Sequence, residues 1–527
     1  MKLDYLRINT LRFPFHLKRL AFTFLLSTVV SGMALGAGDI QQVSGDDSRR
    51  LIKQAEKLIR KGNLAEAEKV LRSAVEANPD NTTAKLRLAF VYVKLRRLLD
   101  AYDLSFAVAK AEPKNSYAFA VLGATMLGAG KFNDARAMFY NSIRLNKREA
   151  LAWAGCGMLD FYENRIQDSL QNLNEAVFYD PEQPDYLFAL AQVSARSEKY
   201  KDAADAYYRF LTLSRDTDDE RRARIKGLIN FLRYLGQKQT LYTTQGEEQT
   251  SVPFKLTGNR PIIQLKVNGR NETLNFVLDT GSGISVISDE TAKLLKIGSI
   301  TKGGFAKGIG GDGKFEIVYG FLRQVEIGKV EIRNVPVYIR KFHAVGNDID
   351  GYIGLSLISK FLTTIDYGDL TFTLAKKEGQ RHELVAAKGV SLPLRLTSSG
   401  FLSGEVKLEG VETPLNFIVD TGASVSVISD DVASLEGISP FLKIEKMRVI
   451  GSAGVTEGVS SFVLPRVSFG THSRKSITAI ALDLDMINEA SGFVQAGILG
   501  GNFLRNYRMT FDFKNSKVTF APITVEQ

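Results

Sequence analysis

The segment NFVLDTGSGISVIS (residues 275–288) returns as NFIVDTGASVSVIS (residues 416–429), and this repetition constrains the fold more than any other feature of the chain. In each copy an apolar run enters an Asp-Thr-Gly turn and a second apolar run leaves it, so each reads as strand, tight turn and strand. The two aspartates, Asp279 and Asp420, stand 141 residues apart (420 − 279). Downstream of each lies a glycine-rich turn, GIGGDG at 308–313 and GSAG at 451–454, with Gly310 and Gly451 each 31 residues past their aspartate. Farther on, GYIGLSLISKF (351–361) is answered by AGILGGNFLRNY (496–507), and each leads into an aromatic-rich strand pair holding Asp366 or Asp512. Two duplicated all-β lobes are expected, at residues 252–375 and 390–524, joined by a charged linker at 376–389. GIGGDG also satisfies G-x-G-x-x-G, but a dinucleotide site needs a helix directly after it. KFEIV follows instead, so the glycines are read as a hairpin tip.

The first half of the chain has a different period. Ala67, Ala101, Ala135, Ser169 and Ala203 recur every 34 residues (101 − 67), and Pro79, Pro113 and Pro181 keep the same step. Ala89, Gly123, Gly157 and Ala191 form a third series. Small residues at fixed places let paired helices approach closely, and a proline stops the second helix of each unit. The pattern resembles the tetratricopeptide repeat. It implies a helical solenoid over residues 48–236, closed by a capping helix at DDERRARIKGLINFLRYLG, with a concave face suited to a protein partner. The polar, unpatterned stretch 237–251 reads as a linker.

Composition narrows the function class. The 527 residues carry a net charge of +10. Lys2, Arg7, Arg12, Lys18 and Arg19 against Asp4 put +4 of this in the first twenty residues. No basic tract interleaved with aromatics follows, which argues against nucleic-acid binding. After the basic stretch comes LAFTFLLSTVVSGMALGAG, so residues 1–37 read as a secretory signal or a retained N-terminal membrane anchor. Export, to a bacterial periplasm, is the expected destination. Cys156 is the only cysteine and sits in the helical region, where a small core residue is expected. His16, His343, His382 and His472 are scattered, and no zinc-type spacing exists. Neither metal nor cofactor is expected.

The duplicated turn resembles the aspartic proteases, and in particular bacterial retropepsin-like domains present twice, as in two-lobed pepsin-like enzymes. The family motif of two apolar residues followed by Asp-Thr-Gly-Ser/Ala fits Val277-Leu278-Asp279-Thr280-Gly281-Ser282 and Ile418-Val419-Asp420-Thr421-Gly422-Ala423. The later motif of two apolar residues and glycine fits Ile498-Leu499-Gly500 fully and Tyr352-Ile353-Gly354 less well. The resemblance implies that Asp279 and Asp420 form a catalytic dyad acting on a peptide or protein substrate. It implies that the threonine hydroxyls bond across to the other lobe. Two carboxylates about 3 Å apart repel by roughly 5–6 kcal/mol at an effective dielectric near 20. They must therefore share one proton. Ser282 is placed to hydrogen-bond the outer oxygen of Asp279, which Ala423 cannot do for Asp420, so the two are expected to differ.

The resemblance also gives the glycine-rich hairpins the role of flaps, with Phe305, Ile309, Gly310, Phe315 and Gly451 near substrate. Asp348, Asp350, Asp483 and Asp485 read as solvated loop residues, and Asp366 and Asp512 as structural. The lobes are expected to pair within one chain, although pairing between chains, as in retroviral enzymes, stays open. A second class also stays open, in which the lobes bind peptides without cutting them and the array does the main work.

Overall fold

The computed structural model describes residues 45–238, 240–343, 348–376 and 389–523. The expected signal or anchor segment lies outside the described residues, as does the 376–389 linker apart from its two ends. No helix among the described residues is long and apolar enough to cross a membrane.

Eleven helices follow one another over residues 45–236. They are α1 (Gly45–Lys61), α2 (Leu64–Ala77), α3 (Thr82–Lys94), α4 (Leu98–Ala111), α5 (Ser116–Gly128), α6 (Phe132–Leu145), α7 (Ala150–Tyr162), α8 (Ile166–Tyr179), α9 (Pro184–Arg196), α10 (Tyr200–Leu213) and α11 (Asp219–Gly236). The small-residue series does what its spacing demands. A Cβ on Gly123 would lie 2.7 Å from the Phe139 ring, and one on Gly157 would lie 2.6 Å from Leu173, so bulk on one helix fills the space glycine leaves on the other. Asn81 and Asn115, one period apart, cap α3 and α5 by accepting from the amides of Ala84 and Ala118 at 3.0 Å each. Cys156 is buried in this core, which pushes its thiol up to about 12 and leaves it unreactive.

The β half is built twice on one plan. In the first lobe the strand Leu274–Leu278 runs parallel to Gly351–Ile353, and Ser285–Ser288 lies antiparallel to that same short strand. In the second lobe Leu415–Val419 runs parallel to Gly497–Leu499, with Ser426–Ser429 antiparallel to it. The lobes pair within this one chain. Phe361–Asp366 lies antiparallel to Tyr507–Asp512 with Thr364 opposite Thr510, their hydroxyls 3.1 Å apart, so the seam between lobes is a continuous sheet.

The 237–251 segment departs from the linker expectation. Thr243–Gly246 pairs with the strand Val330–Arg340, and Gln249–Thr257 joins the interlobe sheet beside Thr371–Lys376. Most side chains here face solvent, so no apolar alternation marks the strands; their register comes from the backbone ladder of the neighbour.

The helical array packs on both lobes. On the first, Gly227 of α11 meets Gly303 so closely that a Cβ there would overlap the opposing backbone, and Phe231 stacks on Tyr319 at 4.3 Å. On the second, Phe493 enters the core of the array, edge to face with Phe132 at 4.9 Å, and the Val494 amide bonds the Gly128 carbonyl at 2.9 Å.

Candidate active site

The two Asp-Thr-Gly turns meet back to back where the lobes join. Each aspartate is held by its lobe's short glycine-ended strand: the Asp279 amide donates to the Ile353 carbonyl and the Asp420 amide to the Leu499 carbonyl, both at 3.0 Å. Thus the imperfect Tyr352-Ile353-Gly354 and the full Ile498-Leu499-Gly500 do the same work. Ser285 and Ser426 brace these strands, accepting at 3.1 Å from the amides of Gly354 and Gly500. Sequence reasoning missed this pair, although the two serines share the 141-residue offset of the aspartates.

Thr280 and Thr421 are fully buried and cross-bonded. The Thr280 hydroxyl donates to the Val419 carbonyl at 2.7 Å and accepts from the Thr421 amide at 3.1 Å. The Thr421 hydroxyl donates to the Leu278 carbonyl at 2.6 Å and accepts from the Thr280 amide at 3.1 Å. Gly281 and Gly422 lie where any side chain would collide with the opposite carboxyl. A Cβ on Gly422 would sit 2.7 Å from Oδ1 of Asp279, and one on Gly281 would overlap the Asp420 carboxyl group.

The structure sets the Asp279 and Asp420 carboxyls together, each against the glycine of the opposite turn and close enough to act on the other's ionisation. Burial raises both above the ordinary carboxylate range, Asp279 strongly so because the charge of Asp420 adds to it. The inequivalence expected from Ser282 and Ala423 arises differently. Ser282 Oγ donates to the Ile284 carbonyl at 2.7 Å, so it is spent on its own turn. Backbone amides make the difference. Asp420 Oδ1 accepts from Gly422 at 2.7 Å and from Ala423 at 3.2 Å, whereas Asp279 Oδ1 accepts from Gly281 alone at 3.0 Å. More N–H donors favour the charged form, so Asp279 is raised the more of the two, although the charge of Arg340 works against its rise.

The hairpins reach over the dyad from both lobes. One consists of Thr301–Lys307 and Lys314–Ile327, the other of Leu442–Ile450 and Val455–Phe469. Their tips are bonded to one another: the Ala453 amide donates to the Ile309 carbonyl at 2.8 Å, and the Ile309 amide to Ser452 Oγ at 3.2 Å. Gly310 and Gly451 form this contact, Gly310 with a φ of +90°. Ile309 and Phe315 face the cavity beneath. Phe305 does not. A bulge between Lys302 and Phe305 changes which face each side chain takes, leaving Phe305 exposed with its carbonyl bonded to Arg224 of α11 at 3.1 Å. Asp350 also departs from its expected solvated role. It accepts from the Asn275 amide and from Thr291 Oγ1, both at 2.8 Å, and so anchors the start of the active-site strand.

A cavity of about 1610 Å³ contains the dyad, the underside of both hairpins and the side chains of α3, α7, α9 and α11. The array is therefore one wall of the cleft that holds the carboxyls.

Residues 263–357 and 404–503 match the aspartyl protease family, and residues 58–125 and 157–218 match tetratricopeptide repeat families. The chain thus carries tetratricopeptide repeats followed by a two-part aspartyl protease domain. The comparison with curated proteins finds no match. Among solved structures, a thermophilic TPR protein of Thermus thermophilus is similar at 18% identity over 34% of this chain and 98% of that one, with a TM-score of 0.30. PilF of Pseudomonas aeruginosa is similar at 15% identity over 36% of this chain and 86% of that one, with a TM-score of 0.26.

Proposed function

We propose that this chain, an array of tetratricopeptide repeats joined to a two-part aspartyl protease domain, is an aspartic endopeptidase with Asp279 and Asp420 as its catalytic pair. The observation that carries the reading is the pair of half-buried carboxyls set together by the cross-bonded turns, with backbone donors that differ in number. Asp420, ionised, takes a proton from water as that water attacks the scissile carbonyl. Asp279, protonated, donates to the carbonyl oxygen as the tetrahedral diol forms. Return of a proton to the amide nitrogen expels the amine. The array helps to recruit and hold the polypeptide, and the N-terminal segment directs export.

The test is digestion of a denatured protein between about pH 3 and 7, with and without a statine-type mimic of the diol. Cleavage that the mimic blocks is expected. Asp279→Asn and Asp420→Asn should each reduce kcat by about 10³-fold or more. Undiminished cleavage by either variant removes the dyad from the chemistry. If the wild type binds peptides and never cuts them, the lobes are a binding platform.

A further inference from the structure

The cavity over the dyad has an uneven charge inventory. Arg196 on α9, Arg221 and Arg224 on α11, and Arg260 and Arg340 from the first lobe all line it. None of the five forms an ion pair with a carboxylate among the described residues. Arg196 donates to the carbonyl oxygens of Phe161 and Thr397, Arg224 to that of Phe305, and Arg340 to that of Ser452. Arg221 lies over the rings of Phe188 and Phe210. The Nε groups of Arg260 and Arg340 are buried and have no hydrogen-bond partner among the described residues.

The lining carboxylates outside the dyad are already engaged. Asp185 holds Lys94 at 2.7 Å, Glu198 holds Lys360, and Glu489 acts on the charge of Arg96. The excess is therefore cationic, in a space partly withdrawn from water, where burial pushes the Arg196 guanidinium down to about 9. Such groups gain most from an anionic ligand that supplies the missing acceptors. Next to the dyad the lining changes character. Ile418, Val427, Ile480 and Ile498 of the second lobe form an aliphatic floor, against which Ile309 of the hairpin tip packs.

We propose that the cavity takes an extended acidic polypeptide segment, with apolar residues at the scissile bond flanked by aspartate or glutamate. The array then determines specificity directly, because three of the five arginines stand on its helices. The proposal rests on the peptidase reading for the bond that is cut, but not for the charge that is bound.

Three fluorescent peptides with one apolar centre and flanks of Glu, Gln or Lys separate the possibilities. They are titrated into the full chain carrying Asp279→Asn and digested by the wild type. The Glu-flanked peptide should bind about tenfold or more tighter than the Lys-flanked one at low salt, and the gap should narrow as salt is raised. Arg221→Glu with Arg224→Glu should reverse the order. If that pair does not fold, Arg221→Gln alone should weaken the Glu-flanked peptide and leave the Gln-flanked one unchanged. Equal binding of all three, tighter binding of the Lys-flanked peptide, no binding of any, or a folded reversal variant with unchanged preference overturns the proposal. Cleavage without charge preference overturns it and spares the peptidase reading. Charge-selective binding without cleavage does the opposite.

Discussion

Asp279 shows how a half-buried acid acts on stability as well as chemistry. Its carboxyl is raised well above the ordinary carboxylate range by burial and by Asp420. In the unfolded chain it titrates at its ordinary value, so above that pH the folded state holds the extra proton. Stability attributable to this group is then complete at low pH and is lost as pH rises from about 4 through the raised folded value. Asp279→Asn removes the ionisation, so the variant should be more stable than wild type near pH 7 and lose that advantage toward about pH 4. Thermal melts at several pH values measure this; an advantage independent of pH would refute the linkage. At this scale the sequence showed much. The aspartates, threonines and glycines of the turn were visible because duplication repeated them. The partner of Ser282 was not, since a hydroxyl takes the nearest acceptor and only the turn geometry shows which one that is.

The elements are joined by few contacts of high consequence. The threonine cross-bonds tie two turns that belong to different lobes. Thr280→Val keeps the shape, but orphans the Val419 carbonyl and removes the acceptor of the Thr421 amide. A loss of about 2–4 kcal/mol in urea unfolding is expected, and Thr280→Ser should recover most of it. A loss in Thr280→Ser with none in Thr280→Val would mean that the methyl group, not the hydroxyl, carries the effect. Gly227 is the point where α11 meets the hairpin strand, and any side chain there meets backbone rather than a movable group. Gly227→Val should therefore displace the hairpin, with loss of peptide binding before loss of helix content by circular dichroism. Unchanged binding would show the α11 contact to be dispensable. Element types were readable from periodicity, because 3.6 and 2 leave different marks in an apolar pattern. The bulge that turns Phe305 outward and the solvent-facing strands of 243–257 left no such mark.

The whole molecule behaves as one packed body among its described residues. Phe493 of the second lobe is fully buried in the core of the array, against Phe132. The full chain should unfold in one calorimetric transition, and Phe132→Ala should lower its stability by about 3–5 kcal/mol and split off a separate array transition. Two transitions in the wild type would show the units to be independent. The sequence by itself determined the two classes of architecture, the duplication and the identity of the paired acids, since these rest on local periods and on residues repeated at a constant offset. The tertiary structure alone decided which acid has more backbone donors, that the hairpin tips bond to each other, and that the array forms one wall of the cleft. Those outcomes depend on distances between residues remote in the chain, and a one-dimensional pattern carries no record of such distances.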